Sequence, residues 1–387
     1  MSNPMNDKSI NDIKPFIVME VLERALELER EGRSIIHLEI GEPDFHTPGR
    51  IVESCIEALR RGKTHYTDSR GLGELRAAVA SYYNNRYGTE ISEQRVLVTM
   101  GTSPALLLAL SVLVENRGDE IILANPYYPC YPNFITYVGG VPRFVETREE
   151  DGFQPKPEAV RAMVNDRTRA ILVNSPANPT GTLLPEEDLR SLCELGVPVI
   201  SDEIYHGLVY GEREHSALEY TDETFVLNGF SKLFAMTGWR LGYLIAPERF
   251  VRRLHILQQN FFISPNAFVQ HAGITALTED HDELEEMRAR YDARRRYLLS
   301  ELPGLGLGPA VEPKGAFYLF VGTRHIDPDS YGLAFDMLEK AGVAVTPGID
   351  FGSMGEGHIR ISYANSLEKI REGVQRIGAY ISERGSR

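Results

Sequence analysis

The sequence predicts an α/β protein with a mostly parallel central sheet, and two observations carry that expectation. From about residue 95, short apolar runs rich in β-branched residues recur between helical stretches, without alternating apolar and polar positions. Strands of this kind are covered on both faces, as in a parallel sheet flanked by helices. Beyond about residue 285 the texture changes to a charged helix, then shorter strands and helices, which predicts a second, smaller α+β unit. A chain of 387 residues, 42% of them hydrophobic, is long enough for two cores.

In chain order, Pro15 to Glu31 predicts a helix, because Ile17, Val18, Val21, Leu22, Ala25 and Leu28 fall on one stripe. Strands are expected at Val96 to Thr99, Ile121 to Ala124, Ala170 to Val173, Val197 to Ile200, Thr224 to Leu227 and Tyr243 to Ala246. After the charged helix around Glu285 to Leu299, strands are expected at Ala316 to Val321, Val343 to Thr346 and His358 to Tyr363. The expected division is an amino-terminal arm over 1–44 that joins the small domain, a large domain over 45–284, and a carboxy-terminal small domain over 285–387.

A net charge of −14 repels phosphate backbones and anionic lipid, which argues against nucleic acid and membrane surfaces as partners. The three cysteines, Cys55, Cys130 and Cys193, are far apart and suggest neither a disulfide framework nor a zinc site, so a reducing cytoplasm is expected. The first fourteen residues are polar, and the apolar stretch near Ala105 to Val114 is far short of the ~20 residues that span a bilayer.

Ligands of open α/β sheets collect beyond the carboxyl ends of the strands. Four predicted strand ends carry Gly101-Thr102-Ser103, Asn174 to Gly181, Ser201-Asp202-Glu203-Ile204-Tyr205, and Ser231-Lys232. A lysine in such a buried setting loses solvation, which makes its amine more nucleophilic and able to form a Schiff base. Asp202 suits a protonated pyridine nitrogen, although a carboxylate there, taken alone, is more often a helix cap. Arg240 offers a guanidinium for a phosphate, or for an ordinary surface ion pair. Ser103 reads as a helix N-cap with Pro104 as first helical residue, leaving free N–H groups that favour an anion.

Other motifs fail. Gly62-Lys63-Thr64 has Glu57 where a phosphate-binding loop needs its first glycine, and Gly229-Phe230-Ser231-Lys232-Leu233 lacks the closing glycine of a nucleophile elbow. Gly71-Leu72-Gly73 runs into Arg76 instead of a third glycine, and the ten histidines form no metal motif.

Together, Asn178-Pro179-Thr180-Gly181, Ser201 to Tyr205, and the segment from Ser231 to Arg240 resemble the class I/II aminotransferases, fold type I enzymes that use pyridoxal 5'-phosphate. The resemblance runs from Leu38-Glu39-Ile40-Gly41-Glu42-Pro43 to His358-Ile359-Arg360-Ile361-Ser362, and implies a seven-stranded sheet and ping-pong transamination between an L-amino acid and a 2-oxo acid. It implies that Lys232 bears the cofactor as a Schiff base and moves the proton. Asp202 would hold the pyridinium, Tyr205 and Asn178 the phenolic oxygen, and Tyr128 would stack on the ring. Thr102, Ser103, Ser231 and Arg240 would hold the phosphate. Arg360, with Gly41 and Asn178, would clamp the substrate α-carboxylate, and Tyr66 would reach the phosphate of a neighbouring subunit, implying a homodimer with shared active sites.

Aspartate or broad specificity is expected, although Ser103 stands where some prokaryotic aspartate enzymes place a lysine, and Arg70 could reach a distal carboxylate across a dimer. The same residues serve carbon-sulfur lyases, the alternative expectation, because the ring stabilises any carbanion at Cα. A non-catalytic cofactor-binding regulator is a second alternative.

Overall fold

The computed structural model describes residues 13–385. Among them, twelve strands form three sheets. Their order along the chain is β1 (Ile36–His37), β2 (Val96–Thr99), β3 (Glu120–Asn125), β4 (Val141–Glu146), β5 (Thr168–Asn174), β6 (Val199–Asp202), β7 (Thr224–Gly229), β8 (Gly242–Ile245), β9 (Tyr318–Gly322), β10 (Val343–Ala344), β11 (Thr346–Pro347) and β12 (His358–Ser362). The predicted α/β class holds. The seven-stranded sheet has the order β2-β8-β7-β6-β5-β3-β4, with β8 antiparallel to both neighbours and the other pairs parallel.

The apolar runs form these strands because both faces are covered. Helix Thr102–Leu113 lies against one face, with Leu106, Leu108, Leu110, Leu113, Leu123, Leu172 and Phe225 in one cluster. Helices Gly73–Tyr87 and Ala267–Thr278 pack on the other face around Leu75, Val79, Tyr83, Val98 and Tyr243. Each fully buried side chain of this size contributes about 1.5–3 kcal/mol. Helix Gly73–Tyr87 stops at Gly88, whose φ of +69° is the left-handed cap conformation that glycine takes without strain.

The predicted helix near the amino terminus spans Ile17–Arg30 and buries Val18, Val21, Ala25 and Leu28. Just after it, β1 pairs with β10, so an early segment joins late ones, and Ile36 and Leu38 share a core with Phe317, Leu319, Ile359 and Ile361. The small three-stranded antiparallel sheet has the order β11-β12-β9. One expected strand, Val343 to Thr346, is broken: Val343 and Ala344 pair with β1, whereas Thr346 and Pro347 pair with β12. The polar start, residues 1–12, lies outside the described residues. Among the described residues no helix is long and apolar enough to cross a membrane, and no group of histidine, cysteine, aspartate and glutamate could hold a metal ion.

Candidate active site

The parallel strands end on one edge of the large sheet, and a cleft of about 340 Å³ opens there. It is lined by Thr102 and Ser103 after β2, Asn174 at the end of β5 and Asn178 beyond it, Asp202 at the end of β6 and Tyr205 beyond it, and Ser231 and Lys232 after β7. Gly41, Tyr128, Arg240 and Arg360 complete the predicted residues of the cleft. Because β8 runs antiparallel, Arg240 at its start faces the same edge as Lys232.

Lys232 donates from Nζ to the Gly41 carbonyl at 2.6 Å, and its amine lies 5.9 Å from the Phe317 ring centroid. Burial pushes its ammonium down to about 8, with Arg360 and Arg240 adding to the effect against Glu42 and Asp202. Asp202 accepts from the Tyr131 hydroxyl at 2.7 Å and from the Ile204 N–H at 3.2 Å. Burial pushes its carboxyl up to about 6, although both hydrogen bonds oppose the shift. Tyr205 shares a 2.8 Å hydrogen bond with the Tyr318 hydroxyl, and burial holds its phenol well above the usual range, so it stays protonated.

Arg360 is 3% exposed at the centre of β12. Its guanidinium donates to Asn178 Oδ1 at 2.8 Å, to Thr346 Oγ1 at 3.0 Å and to the Glu39 carbonyl, and lies over the Tyr318 and Phe351 rings at 4.4 and 5.1 Å. Its Nε has no partner among the described residues, leaving donor capacity within a buried site. Gly41 must be glycine, since a Cβ would collide with the Tyr318 hydroxyl.

At the other end of the cleft, helix Thr102–Leu113 begins with Gly101 as its N-cap at φ +90°. This corrects the reading of Ser103 as cap and Pro104 as first helical residue: both lie inside the first turn, because only glycine fits the left-handed turn after β2. A Cβ on Gly101 would lie 2.6 Å from Arg240 Nη2, so the guanidinium rests against the bare backbone at the helix start.

The donor set fits pyridoxal phosphate. A cation, hydroxyls and first-turn N–H groups suit its phosphate. A carboxylate suits its ring nitrogen, and a protonated phenol beside an amide suits its phenolic oxygen.

Two predicted residues lie apart from the cleft of their own chain. Tyr66 is 81% exposed, and Arg70 is held by Gln94 Oε1 at 3.0 Å beside Asp68. Sequence reasoning missed Tyr131, Tyr318 and Thr346, and placed Asn174 at a strand end without giving it a role. Asn174 donates to the Asp202 carbonyl at 2.9 Å and accepts the Asn178 N–H at 2.8 Å, tying two cleft residues together. It opens the strand-end segment Asn174 to Gly181 that the sequence singles out, whereas the tyrosines are indistinguishable in sequence from core aromatics.

The model of the family "Aminotransferase class I and II" matches residues 33–377. The chain is 41% identical to the (5-formylfuran-3-yl)methyl phosphate transaminase of Methanocaldococcus jannaschii, over 98% of this chain and all of that protein. It is 40% identical to the aspartate/prephenate aminotransferase of Thermus thermophilus, over 95% of this chain and 97% of the relative. The solved aspartate aminotransferase from Thermus thermophilus with maleate superposes with a TM-score of 0.92 at 38% identity, covering 98% of this chain and all of that one. These relatives are transaminases, so they support amino-group transfer and give no support to the lyase alternative. The chain is an enzyme of amino-group transfer and belongs to the class I and II aminotransferases, a family that depends on pyridoxal phosphate.

Proposed function

We propose that the chain binds pyridoxal 5'-phosphate in the cleft and moves an amino group from an L-amino acid to a 2-oxo acid in two half-reactions. The observation that carries this reading is the meeting of Lys232, Asp202, Asn178, Tyr205, Arg240 and Arg360 around one cleft. When bound, the cofactor supplies an electron-withdrawing ring that accepts the electron pair released at the substrate Cα.

The chain's own residues supply the rest. Arg360 binds the substrate α-carboxylate, with Asn178 fixing the guanidinium plane from 2.8 Å. Lys232 Nζ would take the proton from the substrate Cα and deliver it to the cofactor's C4′ carbon within the same half-reaction, and carry it the opposite way in the second; an ammonium pushed down to about 8 leaves a usable share of free amine near neutrality. Asp202 keeps the ring nitrogen protonated, Tyr205 and Asn178 donate to the phenolic oxygen, and Tyr128 covers the ring. Thr102, Ser103, Ser231 and Arg240 bind the phosphate.

The reading includes a homodimer in which Tyr66 completes the phosphate site of the second copy. Its exposure, with Phe261 at 57% and Ile263 at 52%, supports a surface covered by another chain. A cytoplasmic location is also proposed, supported by three free cysteines.

Mixing holoenzyme with each standard amino acid tests the reading: at least one should convert the cofactor to its amine form, seen by absorbance. No conversion across the whole panel would sink it. Lys232→Ala should lose turnover while retaining bound cofactor.

A further inference from the structure

Three cations line the cleft, and the transamination reading gives each of them a task. Lys232 is held at Gly41, Arg360 at Asn178 and Thr346, and Arg240 at the Thr237 carbonyl, 3.0 Å away. None is left for a second carboxylate on the substrate. Besides Asp202, the other acidic residue lining the cleft is Glu42, which accepts from Thr237 and would repel a distal anion. Arg70, the other candidate, is already engaged within its own chain by Gln94.

The cleft also has an apolar part of its wall. Phe16, Val18, Met19 and Ile40 line it, and Phe16 packs edge-on against Tyr128 at 5.9 Å. Phe16 to Met19 form the start of helix Ile17–Arg30, whose N-cap residue, Phe16, provides no side-chain cap. The cap comes from far along the chain. Asp350 accepts the Ile17 N–H on Oδ1 at 3.0 Å and the Val18 N–H on Oδ2 at 3.2 Å. Two free helix N–H groups and the positive end of the helix dipole thus meet one carboxylate.

Asp350 lies in the 3₁₀ turn Gly348–Phe351, and Phe351 of this turn packs under the Arg360 guanidinium. A single turn therefore fixes both the carboxylate clamp and the apolar wall. Just ahead of the wall, Lys14 is tied to Asn133 through its N–H and its carbonyl, both at 3.1 Å. Asn133 sits on helix Cys130–Tyr137, which also carries Tyr131, the donor to Asp202.

Resting on the transamination reading, we propose that the enzyme selects L-amino acids with apolar side chains, aromatic ones included, through the wall of Phe16, Val18, Met19 and Ile40, and that Asp350 is the positioning residue that holds this wall in place.

The test is a set of half-reaction rates on the holoenzyme, with equilibrium binding of unreactive analogues beside it. Phenylalanine and leucine should exceed aspartate and glutamate at least about tenfold in kcat/KM, the scale of discrimination an apolar pocket provides. By calorimetry, 3-phenylpropanoate should bind more tightly than butanedioate. Phe16→Ala should lower the ratio of phenylalanine to alanine reactivity about tenfold. Asp350→Asn should raise KM for phenylalanine more than it lowers kcat. Preference for aspartate or glutamate, tighter binding of butanedioate, or an unmoved ratio in Phe16→Ala would overturn the proposal while leaving transamination intact. Failure of every amino acid to react would overturn the transamination reading, and the proposal with it.

Discussion

Asp202 and Glu203 are adjacent, both carboxyls, and 7% and 1% exposed, yet they belong to two different regions. Asp202 faces the cleft and has two donors, one on each oxygen. Glu203 sits in a sealed polar network on the other face. There Ser201 Oγ, Ser216 Oγ and the Ala217 N–H donate to Oε1 at 2.9, 2.9 and 3.2 Å, and Tyr83 donates to Oε2 at 3.0 Å. Tyr83 in turn accepts from Asn228 at 2.9 Å, joining the ends of β6 and β7. Burial raises both carboxyls, Asp202 to about 6 and Glu203 to about 8, so a shifted carboxyl does not by itself mark a reactive group. What separates them is unfilled acceptor capacity turned towards a cleft.

If that distinction is right, changing Asp202 should damage chemistry and changing Glu203 should damage the fold. The largest expected effect is Asp202→Asn, with a fall in kcat of roughly 10³-fold, the scale for loss of a preorganised charge, and a melting temperature within about 2 °C of the parent. Similar losses of activity and stability would blur the two regions into one. Next, Glu203→Ala leaves several buried donors without an acceptor, at about 1–3 kcal/mol each, so denaturant unfolding should show a loss of at least about 3 kcal/mol. Tyr131→Phe removes the side-chain donor to the Asp202 carboxylate and should lower kcat about tenfold with little change in unfolding midpoint, close to the worth of one charge-assisted hydrogen bond.

The smallest effect is a pH slope. A Glu203 carboxyl raised from 4.5 to about 8 binds its proton in the folded state where the unfolded chain has lost it. Its stabilisation is therefore complete below 4.5 and declines as pH rises through 8. His206, pushed down by burial to about 4 from 6.5, acts oppositely, but only below 6.5. Between pH 6.5 and 7.5 the apoprotein should lose on the order of 1 kcal/mol, and Glu203→Gln should flatten that slope. An unchanged slope in the Gln variant would assign the proton elsewhere.

The two regions also differ in how far the sequence discloses them. Lys232, Asp202 and Asn178 are legible because each follows an apolar run that can only be a covered strand, and such strand ends collect at one edge. Glu203 is part of the same motif, but its network is assembled from Tyr83, Ser216 and Asn228, far apart in sequence. Strand β4 escaped notice because it is an edge strand whose Val141 and Glu146 are exposed, so it lacks the continuous apolar signal. Asp350 gave no sign of capping a helix 333 residues away, because long-range caps have no periodicity.

The reversed strand β8 turns the segment between β7 and β8 into a measuring device. Gly229 pairs with Gly242, and the chain leaves and re-enters the sheet at the same edge, carrying Lys232 on the way out and Arg240 on the way back. Side chains cannot widen this gauge: a Cβ on Gly229 would come within 2.9 Å of Gly242 Cα, and one on Gly242 within 2.8 Å of the Gly101 backbone. The gap between the Lys232 amine and the Arg240 guanidinium is thus set by loop length and strand register. Adding or removing one residue between Phe230 and Leu241 would miscalibrate it, however well each group were preserved.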